Sequence, residues 1–136
     1  MKKYFKLILV IIWMIFIFMM SAFSATESGS QSYLIATFVG KLFHIKNITL
    51  LIFIIRKLAH FTEFLILGIL VSNWLKNYNK KLCLSVFICT IYAISDEVHQ
   101  IFVPGRSCEV RDMLIDVLGA IIGIFIFTIL SKKNGN

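Results

Sequence analysis

The sequence predicts an all-α membrane protein: four transmembrane helices with a short outer amphipathic helix. Three observations predict it. First, 59% of the 136 residues are hydrophobic and the mean hydropathy is +0.88, too apolar for an ordinary soluble domain. Second, the apolar residues gather into stretches near the length of a helical span, about 20 residues. Third, with the N-terminus inside, Lys2, Lys3, Lys6, Lys76, Lys80, Lys81, Lys132 and Lys133 all face the cytoplasm with no acid among them, as the positive-inside rule requires. The net charge of +7 thus reads as topology and as attraction to anionic inner-leaflet lipid, and no nucleic-acid partner is expected.

One domain, residues 1–136, accounts for the chain, with spans at about 7–23, 56–75, 82–102 and 112–130. Lys2, Lys3 and Lys6 before the first apolar run, with "SAFSA" after it, also fit a signal peptide. Under either reading the following chain emerges on the outer side. "SATESGSQS" (Ser24–Ser32) predicts a polar linker there. In "YLIATFVGKLFHI", Leu34, Ile35, Phe38, Val39, Leu42 and Phe43 share one face, with Thr37, Lys41 and His44 opposite. That pattern predicts a short helix lying flat on the outer leaflet.

Asn47 suits the N-cap of the next helix, because its side chain can accept from orphan amides. The third span reaches full length only if Asp96–Val103 continues the helix begun by Leu82–Ser95. Pro104-Gly105 suits the centre of a type II turn, which would aim Arg106 back over the bundle, and Ser107 suits the N-cap of the last helix. Within that helix, Gly119 and Gly123 of "GAIIG" predict a close approach to a neighbour inside the bundle, and Asp116 on the same face points inward. Cys83, Cys89 and Cys108 make no disulfide framework and read as packing residues.

The ionisable residues of the spans fall at matched depth. Glu63 lies 13 residues from Lys76, Asp96 15 from Lys81 and Asp116 16 from Lys132, which places all three roughly 20–24 Å above the inner boundary. His60, His99 and Asp112 lie one turn further out, with Arg56 and Lys57 beyond them. An ionisable group at the bilayer centre costs about 2.5–3.5 kcal/mol on insertion scales. So many of them must therefore face one another or an outward-opening hydrated cavity. The candidate ligand-binding residues are Arg56, Lys57, His60, Glu63, Asp96, Glu97, His99, Gln100, Arg106, Asp112 and Asp116.

Two blocks carry a resemblance: "RKLAHFTEFLILG" (Arg56–Gly68) and "YAISDEVHQIFVPGRSCEVRDMLIDVLGAIIG" (Tyr92–Gly123) closely resemble the VanZ-like family. Its members are small multi-spanning bacterial membrane proteins, named for one associated with resistance to teicoplanin, a lipid-tailed glycopeptide antibiotic. The resemblance rests on His60, Glu63, Asp96, Glu97, His99, Gln100, Pro104, Gly105, Arg106, Asp112 and Gly119, and "SAFSATESGSQS" resembles the family's serine-rich segment. It implies a bacterial plasma-membrane location with both termini cytoplasmic, and a contribution to teicoplanin or lipoglycopeptide resistance.

Two functional classes follow from the layer. In the first, Arg106, Arg56 and Lys57 supply positive charge, and His60, His99 and Gln100 supply hydrogen bonds, to an anionic lipid or lipid-linked cell-wall precursor. In the second, a membrane enzyme acts on such a lipid through His99 with Asp96, or His60 with Glu63, as an acid–base pair. The catalytic candidates are then His60, Glu63, Asp96 and His99. A metal held by the two histidines with Glu63, Asp96 and Asp116 is disfavoured by the nearby Arg106 and Lys57, so neither metal nor cofactor is expected. A channel ranks last, since the layer sits on one side only. The oligomeric state stays open.

The topology has a direct check: a membrane-impermeant thiol reagent applied to intact cells is expected to label Cys108 and not Cys83. The reverse pattern would invert the orientation.

Overall fold

The computed structural model describes residues 2–133 and is built of five helices: α1 (Lys2–Ser21), α2 (Ala25–Phe43), α3 (Ile48–Leu75), α4 (Lys81–Gln100) and α5 (Val110–Lys133). No strand occurs among the described residues. Three helices, α1, α4 and α5, are long and apolar enough to cross a membrane. Their apolar windows are only 17–28% buried inside the bundle, so most of their side chains point outward. Ile8, Ile12, Leu118 and Phe125 are among the large exposed apolar groups, the arrangement expected where the surrounding medium is hydrocarbon.

α3 is the axis, packing against each of the other four helices. Phe64, Leu67, Val71 and Leu75 recur on one face of it at helical spacing and are buried against Val10, Ile17, Cys89, Ala93 and Ala120. At 28 residues it is about 42 Å long, well beyond a hydrocarbon core of about 30 Å. Its first turns pack with α2 through Ile48 and Leu51.

The tightest contact is α3 on α5. A Cβ added to Gly123 would lie 2.0 Å from the Leu65 carbonyl oxygen, and one on Gly119 2.4 Å from that of Phe61. Gly68 reciprocates, facing the Ala120 carbonyl at 2.3 Å. The two "GAIIG" glycines thus serve contact within the bundle, as their spacing predicts, and Gly68 is their counterpart on α3. In lipid, where burying apolar surface gives little advantage over leaving it in the bilayer, such close packing is a main source of helix association.

Side chains tie α1 to this core. Trp13 donates to the Glu63 carbonyl at 2.9 Å, Lys6 to the Asn73 carbonyl at 3.1 Å, and the Tyr92 hydroxyl to the Met14 carbonyl.

The linker expected at Ser24–Ser32 is instead the first half of α2. Ser24 is its N-cap in a capping box, accepting from the Glu27 amide while Glu27 returns a bond to the Ser24 amide. The Ser24 hydroxyl, donating to the Glu27 carboxylate at 2.6 Å, and then the Ser24 amide lower the Glu27 pKa from its ordinary value. The box satisfies two orphan amides and so starts a helix in a composition that otherwise reads as loop. α2 buries Ser32, Ala36 and Gly40, with Gly40 against Ile48 and Leu51 of α3, and turns Leu34, Ile35, Phe38, Leu42 and Phe43 outward.

Asn47 caps α3 as expected, accepting from the Leu50 amide at 3.1 Å. α4 continues through the polar run to Gln100. The turn after it has Gly105 at φ +75° and the Arg106 amide on the Val103 carbonyl at 3.1 Å, the type II pattern. Ser107 is not the cap of the last helix, because α5 begins at Val110 and its first-turn amides turn to the Glu109 carbonyl. Of the three free cysteines only Cys89 packs in the core; Cys83 and Cys108 are exposed.

Gly123→Ala is expected to destabilise the bundle by about 1–3 kcal/mol through overpacking. Gly29→Ala in α2, with nothing within 4 Å of the new Cβ, should be neutral or gain up to about 1 kcal/mol. Thermal unfolding of the two purified variants in one detergent checks the contrast.

Candidate functional site

The outer ends of α3, α4 and α5 bring the sequence-matched polar residues to one level. Asp116 and Glu97 are 0% exposed, Asp96 3%, Gln100 3% and Asp112 6%, so none of these spends its charge or polarity on the surroundings. Asp116 follows from the glycine seam: it lies one turn before Gly119, whose close approach to Phe61 places the neighbouring His60 opposite it. His60 Nδ1 is 3.4 Å from Asp116 Oδ1, without the alignment of a hydrogen bond. Glu97 joins them from α4, and one potential ligand atom from each of His60, Glu97 and Asp116 lies within 4.8 Å of the others.

Two further pairings stand beside this trio. Lys57 on α3 bonds Asp112 on α5 and lies 3.7 Å from Glu109. Gln100 donates to Asp96 at 3.3 Å within α4. The Glu109 amide donates to Glu97 Oε2 at 2.9 Å, which orients that carboxylate from the loop. Several buried atoms are left without a hydrogen-bond partner in the protein: Asp96 Oδ1, Glu97 Oε1, both Asp116 oxygens, His60 Nδ1, and Arg106 Nε and Nη1. A buried polar group without a partner costs about 1–3 kcal/mol, so this concentration makes the layer the candidate site.

A cavity of about 140 Å³ opens beside the layer, between α1, α2, α3 and the turn. Arg56, His60, Glu63 and Arg106 line it together with Ser28 and Gln31 of α2. A smaller space of about 90 Å³ lies on the other side of Arg106, toward Gln100, Glu109 and Asp112. Arg106 is positioned by the turn, and the turn is anchored by the Ala25 amide, which donates to the Pro104 carbonyl at 3.1 Å. Partial burial, then the like charge of Arg56, lower the Arg106 pKa from its ordinary value, yet a guanidinium stays charged.

His99 does not join the trio. Its ring packs on Phe18 of α1 with centroids 4.2 Å apart, and its Nδ1 is buried there without a partner. The residues unforeseen from the sequence are Ser21, Ser28, Gln31 and Ser32, which complete the cavity wall. For Ser28, Gln31 and Ser32 the signal is the Ser24–Glu27 capping box, which turns a serine-rich segment into a helix with one polar face toward Arg56 and His60; Ser21 ends α1.

A family model described as VanZ/LLP1 matches residues 5–131, nearly the whole described chain. No curated protein and no solved structure matches it.

The Lys57–Asp112 pair generates a quantitative expectation. In a double-mutant cycle with Lys57→Met and Asp112→Asn, thermal unfolding should report a coupling on the order of 0.5–3 kcal/mol, with Lys57→Met alone the more damaging because it leaves a buried carboxylate unpaired.

Proposed function

The chain belongs to the VanZ/LLP1 family, and from that premise we propose that its outer polar cavity holds the anionic head group of a cell-envelope lipid or lipid-linked cell-wall precursor. The single observation that carries this reading is Arg106, whose Nε and Nη1 are buried without a partner in the wall of a cavity it shares with Arg56. The ion pairs formed among the described residues go to Lys57 and His60, leaving both guanidiniums uncommitted. A guanidinium matches phosphate or carboxylate through paired N–H donors, and the Ser28 and Gln31 side chains add neutral hydrogen-bonding groups beside it.

In this proposal α1, α3, α4 and α5 cross a bacterial plasma membrane with both termini cytoplasmic. α2 sits on the outer side with its large apolar residues in lipid. The length and buried core face of α3 and the lysines at the opposite ends of the spans support that placement. Holding the head group reduces access of teicoplanin to its target and so contributes to lipoglycopeptide resistance. Binding is favoured over catalysis because the Ser95 hydroxyl donates back to the Tyr92 carbonyl at 2.7 Å and His99 packs on Phe18, which leaves the His99–Asp96 pair without a serine nucleophile to activate.

Purified protein in nanodiscs is expected to retain phosphatidylglycerol over phosphatidylcholine in native mass spectrometry. Arg106→Gln should weaken that preference by roughly tenfold or more, the loss of a hydrogen bond to a charged group being about 1.5–3 kcal/mol. Equal retention of both lipids by the wild type would overturn the reading. In a sensitive host, wild type should raise tolerance to teicoplanin, while Arg56→Ala and Arg106→Ala, which remove the two guanidiniums of the cavity wall, should not at matched membrane levels.

A further inference from the structure

We propose that His60, Glu97 and Asp116 form a binding site for one divalent first-row cation of the Zn²⁺ or Mn²⁺ type. The three residues come from three helices, α3, α4 and α5, and one ligand atom of each lies within 4.8 Å of the other two. Zinc binds such atoms at about 2.0–2.2 Å, which requires ligand edges of roughly 3–4 Å; the His60–Asp116 edge is already 3.4 Å.

The second, independent observation is what these atoms lack. Asp116 is 0% exposed, and neither of its oxygens has a hydrogen-bond partner; Glu97, also 0% exposed, has Oε1 in the same condition. The other Glu97 oxygen is held by the Glu109 amide at 2.9 Å, the outer-shell bond that fixes a metal-ligating carboxylate in place. Two buried carboxylates facing one imidazole leave an excess of negative charge in an apolar bundle, and a divalent cation neutralises both at once.

Lys57 and Arg106 are the reason the sequence argues against a cation here. The fold removes much of that objection. Lys57 is committed to Asp112, and Arg106, although within electrostatic reach of Glu97, donates no hydrogen bond from Nε or Nη1 to it and lines the cavities on either side of the turn. One imidazole with two carboxylates selects a borderline metal over Ca²⁺ or Mg²⁺, which prefer oxygen alone, and over Cu(I), which prefers sulfur. The site shares only His60 with the cavity wall, and its geometry does not depend on the head-group reading.

The test uses the full chain in nanodiscs, stripped with EDTA, reloaded with Zn²⁺ or Mn²⁺ and dialysed before metal analysis and thermal melting. The expectation is about one ion per chain and a melting temperature raised by the metal. His60→Gln, Glu97→Gln and Asp116→Asn should each weaken binding at least tenfold, whereas Glu109→Gln, which alters a half-exposed acid outside the trio and keeps the backbone amide on Glu97, should leave it within about twofold. Clearly substoichiometric metal in the wild type overturns the proposal without recourse to any variant. An equal loss in Glu109→Gln also overturns it, showing diffuse attraction to acidic residues. Phosphatidylglycerol retention measured with and without EDTA separates the two readings: metal bound without lipid preference supports this site and refutes the head-group proposal, and lipid preference without stoichiometric metal does the reverse.

Discussion

Gly68, Gly119 and Gly123 allow α3 and α5 to meet backbone to backbone, and the polar layer takes its spacing from that contact. With no Cβ between the helices, residues one turn along the seam are brought within reach of short side chains. His60 beside Phe61 and Asp116 one turn before Gly119 meet at 3.4 Å for this reason. A wider crossing, with alanine or leucine at the seam, would separate the helices and leave each group alone in an apolar interior. Packing and charge placement are therefore one constraint here: the medium outside cannot solvate an ion, so the helices must supply its partner.

The outer end is finished by two local devices that depend on each other. The type II turn at Pro104-Gly105 ends α4 and directs Arg106, and the first amide of α2 donates to that turn. The capping box at Ser24 and Glu27 starts α2 where the turn can receive it. α2 then presents small residues to α3 and large apolar ones outward, so a segment of modest hydrophobicity packs along the long α3 and walls off the cavity. The result is a confined space with serine and glutamine on one side and guanidinium and imidazole on the other.

The helical architecture was legible in the sequence because hydrocarbon imposes simple rules: long apolar runs, lysines at one end and inward polar stripes. The cap at Asn47, the turn at Gly105 and the inward Asp116 were equally legible, since each rests on chemistry within a few residues. Ser24–Ser32 has the polar composition of a linker, yet the Ser-x-x-Glu box inside it satisfies the first amides and makes it helical. Ser107 has the chemistry of a cap, but several residues qualify locally, and only the packing of α5 decides that its helix begins at Val110.

By itself the sequence determined that the chain is helical and membrane-like, and that acids and histidines sit at one depth, since depth follows from counting along a helix of fixed rise. It could not determine which of them meet. That depends on the rotation of each helix about its axis, set by contacts between distant parts of the chain. Only the tertiary structure turned His99 toward Phe18, joined Lys57 to Asp112, and gathered Glu97 with His60 and Asp116. The physical reason is that helical periodicity assigns each residue a face and a height, whereas the partner of that face is chosen by close packing among all the helices at once.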